Sequence, residues 1–166
     1  MNVEIVLASL CNRRLMVSSR WVALLAAIFF ITSFDKRTDR DLRSKQANIL
    51  IREIGHRLLL QSGDSISRVM PVTEVKEGVF QLHFEKKFQF NPDSLMALAK
   101  GLLPSTKFTA GYMVTVHDCL QAGIVYGFMI NYNSPDVLAC KGRSQPAGCY
   151  SIEFSFPDFY DNAALQ

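Results

Sequence analysis

The chain has 166 residues, 49% of them hydrophobic, and a formal net charge of +3. That length suits one domain of ordinary size with a sizeable core. The charge is mild and no basic patch is interleaved with aromatic residues, so nucleic acid is not an expected partner.

Reading in chain order, residues 1–14 are an N-terminal tail. An apolar block follows, Trp21 to Phe34 (WVALLAAIFFITSF), with Arg13, Arg14 and Arg20 before it and the charged run Asp35 to Lys45 after it. Its clean run of 14 residues is short of the roughly 20 that cross about 30 Å of hydrocarbon. Counting back to Leu15 gives 20 residues that include Arg20. An arginine near a helix end snorkels to the headgroups, and Trp21 suits the interface. Residues 15–34 therefore read as a membrane anchor or a signal sequence. A cleaved signal peptide matches the length of the block, but no A-x-A-like site follows it. A core helix of a soluble protein is the bland alternative. Three Lys/Arg precede the block and five follow it closely. That balance alone would keep the domain in the cytoplasm.

Residues 35–62 read as a stalk helix, with the helical pattern clearest from Asp41 to Gln61. Ala47, Leu50, Ile51, Ile54 and Leu58 recur at helical spacing and make one apolar stripe. Gly63 stops the helix. The stripe has two available partners, the domain's own sheet or a second chain. Ala47, Leu50, Ile51 and Ile54 are the expected dimer seam near the membrane, and Leu58 the start of the part that covers the sheet. The positive charge of residues 36–57 would meet anionic lipid.

Residues 63–158 carry mostly strand patterns. Val69 to Glu74 is a short extended piece, and Glu77-Gly78 marks a turn. Phe80, Leu82, Phe84, Phe88 and Phe90 alternate with polar residues and read as one half-buried strand. Asn91-Pro92-Asp93 opens a helix: Asn caps, Pro suits the first position and Asp favours the positive end. Leu95, Leu98 and Leu102 form its face. Three further strands follow at Tyr112 to Val116, Ile124 to Tyr132 and Tyr150 to Phe156, spaced as antiparallel hairpins. Residues 159–166 are a tail.

The expected fold is α+β: a membrane helix and a stalk helix, then a five-stranded, mainly antiparallel sheet. A sheet with one apolar face must be covered, and the helices are the available cover. Cys140 and Cys149 flank KGRSQPAG, a Gly/Pro loop that a short disulfide could close in an oxidising compartment. Free thiols are the alternative.

This order of elements resembles PAS-like extracytoplasmic sensor domains. YMVTVHDCLQAGIVYGFMI (Tyr112 to Ile130) is similar to their central hairpin. NPDSLMALAKGLLPSTKFTAGYMVTVHD resembles the helix-to-strand step in periplasmic sensor modules of membrane histidine kinases, particularly those of Bacteroidetes. The resemblance spans residues 40–158. It implies a bacterial inner-membrane protein of one span, a periplasmic domain, homodimerisation and signal transduction. Such sensors carry a second span and a kinase core after this module, so the chain reads either as a stand-alone sensor-like protein or as a fragment of a longer one.

Chemistry-bearing motifs are sparse. Ser62 to Ser67 (SGDSIS) contains Gly-Asp-Ser, but a helix precedes it and no D-x-x-H follows, so a capped helix-stop turn is the better account. His117-Asp118-Cys119 gathers three ligand types whose side chains alternate across a strand. His83 is expected to face solvent and His56 lies on the stalk. No phosphate, zinc-protease or dinucleotide motif occurs. The expectation is a non-enzyme without cofactor or metal: a sensor-like module that binds a small ligand or partner. An adaptor or structural subunit of an envelope complex is the second reading.

Overall fold

The computed structural model describes residues 39–108, 110–121, 123–132, 138–139 and 143–160. The anchor segment 15–34 and Cys140 lie outside them, and no described helix is long and apolar enough to cross a membrane. The chain divides after Leu42. Of the first unit only residues 39–42 are described, and they are helical. The second unit, Arg43–Gln166, contains all the strands, the second helix and all but the first four residues of the first helix.

Helix α1 runs over residues 39–61. It ends where Gly63 adopts a left-handed φ of 84°. There Asp64 N–H donates to Leu59 O at 2.9 Å and Gly63 N–H to Leu60 O at 3.1 Å. These two bonds are the glycine-terminated Schellman arrangement, which satisfies carbonyls the helix leaves open. Strands β1 (Thr73–Lys76) and β2 (Val79–His83) follow, then β3 (Phe88–Phe90). Helix α2 (Pro92–Leu102) is capped as its sequence requires: Asn91 Oδ1 accepts from Asp93 N–H at 2.9 Å. Strands β4 (Tyr112–Asp118), β5 (Ile124–Ile130), β6 (Leu138–Ala139), β7 (Gln145–Gly148) and β8 (Tyr150–Ser155) complete the domain.

The main sheet has the order β1-β2-β8-β4-β5-β6, and every pairing is antiparallel. Five of these strands have four or more residues, and β6 adds a two-residue edge. The α+β class and the five-stranded antiparallel sheet with two helices thus match the sequence pattern. The last strand, β8, sits between β2 and β4. Its Phe154 faces both Phe80 and Val114, and its Ile152 both Leu82 and Val116. These residues alternate inward, so a single register buries all six beneath the helices.

Two sequence expectations give way to tertiary context. The predicted strand Phe80 to Phe90 is broken at Glu85-Lys86-Lys87. Its second part, β3, leaves the main sheet and pairs with β7 in a separate ribbon. The predicted dimer seam is not available to a partner: Ala47, Ile51 and Ile54 are buried in the domain's own core, and Leu50 packs against it. The physical reason is the stripe's continuity. Leu58 and Leu59 belong to the same cluster, and one straight helix presents one face. The compact unit that holds the sheet runs from Arg43, and α1 packs on the sheet within it. At Gly55 the helix comes so close that an added Cβ would lie 2.7 Å from Leu82 Cδ2.

Candidate functional site

The domain has two distinct poles, joined by β8. At the first, β1 turns into β2 through Gly78, whose φ of 70° is left-handed. Its carbonyl accepts from Phe156 N–H at 2.9 Å. A Cβ at this position would meet Phe156 O at 2.6 Å and Phe159 Cβ at 3.1 Å. Glycine therefore lets the segment after β8 cross directly over the turn. The Glu74 carboxylate beside it accepts from Ser44 Oγ at 3.0 Å, from Gly78 N–H at 3.0 Å and from Tyr160 O–H at 2.8 and 2.9 Å. Arg43 Nη1 donates to Phe159 O at 3.4 Å. The Phe159 ring sits 5.1 Å from Phe80 and 5.4 Å from Phe156. Where the chain enters this unit and where it leaves β8 are thus fastened together.

At the second pole, Cys119 and Cys149 form a disulfide with Cα atoms 5.4 Å apart, within the usual span of such bridges. Cys119 N–H also donates to Cys149 O at 3.1 Å. The antiparallel register makes this pairing, because β4 ends opposite the start of β8: Asp118 faces Tyr150. The expected partner of Cys149 was Cys140. Sequence proximity suggested the short loop, but the sheet brings a residue 30 positions away to Cys149 instead. Beyond the bridge, Asp118 Oδ1 accepts from Leu120 N–H at 2.7 Å and Gln121 N–H at 3.2 Å. The β4–β5 register shifts by one residue next to His117, so Ile124 lies opposite it. That bulge turns out a residue whose parity would have buried it. Leu120 is 82% exposed and Ile124 64%.

Among the described residues, clefts open to solvent include the following. One of about 230 Å³ lies where α1 ends beside α2 and the β3–β7 ribbon, with Gln61, Gln89, Ser94 and Gln145 among its walls. The other, about 510 Å³, runs along the outer side of α1 and the following loop, between Ile49, Arg52, His56 and Ile66. Glu53, Ser65 and Ser67 also line the second cleft.

The sequence's other candidates are structural. Asp64 Oδ1 accepts from Ile66 N–H at 3.0 Å and Ser67 N–H at 2.8 Å, so SGDSIS is a helix-stop turn. The nearby Ser67 hydroxyl, and then hydrogen bonds from the Ser67 and Ile66 N–H groups, hold the Asp64 carboxyl below its ordinary value. His117 lies within hydrogen-bond distance of Thr115, while Cys119 is committed to the disulfide. His83 and His56 are exposed. Among the described residues no three His, Cys, Asp or Glu side chains gather as metal ligands. Burial pushes the phenols of Tyr112 and Tyr132 up, and Tyr132 O–H donates to Leu103 O at 2.6 Å. Both stay neutral at physiological pH and act as core props.

Sequence reasoning missed Glu74, because a carboxylate on an exposed four-residue strand carries no sequence signal. The hairpin between the Tyr112 and Ile124 strands was legible, but the disulfide partner was not. No protein-family pattern, curated protein or solved structure matches this chain.

Proposed function

We propose that this protein is a membrane-anchored, sensor-like module whose α+β domain lies outside the cytoplasm and binds a small ligand or a partner. The observation that carries the reading is the Cys119–Cys149 bridge in a domain that begins soon after the apolar block Trp21 to Phe34. A disulfide is at home in the periplasm and out of place in a reducing cytosol. An anchor of about 20 residues counted from Leu15 supplies the tether. Export outweighs the Lys/Arg balance around the block because the bridge bears on the domain's own environment. The PAS-like resemblance and homodimerisation remain part of this proposal, but the dimer contact cannot be the buried stripe of α1.

A second reading is favoured by a specific observation. Leu120 and Ile124 project from the disulfide pole, away from the end where the chain enters. An adaptor that docks a protein in an envelope complex would present such a tip.

Carbonate extraction of membranes should leave the chain in the pellet, and protease added to spheroplasts should digest residues 43–166. Recovery in the soluble fraction would remove the anchor. Full protection in intact spheroplasts, with cleavage only after lysis, would remove the export.

A further inference from the structure

We propose that the segment after β8 is a strap that couples the start of α1 to the exit from β8, with Glu74 as the buckle. The contacts are specific. One carboxylate receives Ser44 from the first turns of α1, Gly78 N–H from the β1–β2 turn and Tyr160 from the strap. Arg43 reaches past it to the Phe159 carbonyl. Three segments distant in sequence, separated by 30 residues for Ser44–Glu74 and 86 for Glu74–Tyr160, meet at one group.

This arrangement differs from ordinary surface hydrogen bonding in its consequence. The side chains at the buckle are exposed or only partly buried, so each bond alone contributes little. They share an acceptor, however, and each donor pre-orders it for the others. Losing Tyr160 frees one side of the carboxylate and loosens Ser44; losing Ser44 loosens Tyr160 equally, because coupling between two sites is reciprocal. Beneath the buckle the strap is held by packing: Phe156 and Phe159 rest against Phe80, and Phe108 stacks on Phe156 at 4.7 Å. The strap is thus anchored in the core at Phe156 and clasped at Tyr160. Fraying from its far end can release the clasp without opening the core.

In sequence, the apolar block comes shortly before the start of α1. A displacement of the strap would therefore be felt at the start of α1, where a tether could carry it onward. That use rests on the membrane-anchored reading above; the coupling itself does not.

Hydrogen–deuterium exchange on the full chain separates the two. Tyr160→Phe removes the hydroxyl that donates to Glu74 and leaves the ring. It is expected to raise exchange at amides 43–47 by about three- to tenfold, while amides of β4 and β8 keep the wild-type rate. Ser44→Ala is expected to do the reverse, raising exchange at residues 157–160 by a similar factor. Glu74→Gln, which keeps shape and lowers acceptor strength, should raise both. Loosening confined to the mutated side in both Tyr160→Phe and Ser44→Ala would overturn the coupling. So would unchanged exchange on both sides. Carbonate extraction of the same variants reports the anchor separately, so loss of one conclusion does not carry the other.

Discussion

Removing the Cys119–Cys149 bridge should cost a large share of this domain's stability. Cross-linking residues 30 positions apart removes unfolded-chain entropy worth about 3.6 kcal/mol at 25 °C. Little native-state contact is lost alongside it. The Cys119 N–H to Cys149 O bond at 3.1 Å belongs to the backbone and survives a double Cys119→Ser, Cys149→Ser change. With an unfolding entropy near 2.1 cal/mol/K per residue, the unit Arg43–Gln166 should melt about 14 °C lower without the bond. The assay is thermal melting by circular dichroism of oxidised protein, protein in reductant, and the double-serine variant. The last two should coincide. Cys119 is exposed, so reductant has access. Melting curves of all three within about 3 °C of one another would refute the argument. A Cys140–Cys149 peptide in a non-reducing digest would refute the pairing itself, and with it the register reasoning that places β4 beside the start of β8.

Three further outcomes are expected. Ile51→Asp should unfold the domain, at a cost of about 4 kcal/mol or more for a buried unpaired charge; a soluble variant with the wild-type urea midpoint would return that face of α1 to the surface. Two glycines should respond in opposite directions to alanine. Gly111 has φ 97° and a Cβ there would run into the Ile130 carbonyl, so Gly111→Ala should lose more than about 2 kcal/mol. Gly101→Ala meets nothing within 4 Å and should gain up to about 1 kcal/mol in helix propensity, both read from chemical denaturation. Acid should weaken the fold through Asp64 and Glu85, held below their ordinary values of 3.8 and 4.5 by hydrogen bonds from Ser67 and Arg68. A depressed carboxyl stabilises fully above its unfolded value, and that contribution is lost as pH falls through it toward the folded value. Urea midpoints should therefore drop as pH goes below about 4.5, and the slope should flatten in Asp64→Asn with Glu85→Gln. An unchanged slope would assign the loss to other carboxylates.

Period and punctuation in the sequence determined most of the elements. The stripe of α1, its stop at Gly63, the Asn91-Pro92 opening of α2, and the alternation of β2, β4, β5 and β8 are local properties, and local energetics set them. Alternation also named the core, since Phe80, Leu82, Val114, Val116, Ile152 and Phe154 are among the residues that the sheet buries. What the pattern could not hold is which strand lies beside which. β8 carries the same alternation as any half-buried strand, yet only the packed fold puts it in the centre of the sheet. That one placement decides the rest. It sets Cys149 against Cys119 rather than against its neighbour in the chain, and it brings Phe156 to Gly78. From there the strap reaches Glu74, whose role depends on groups 30 and 86 residues away. The same limit explains the α1 stripe. Its apolar face was readable, but the choice between a second chain and the home sheet depends on distances that only the tertiary structure supplies. Near Gly55 helix and sheet meet too closely to leave that face for anything else.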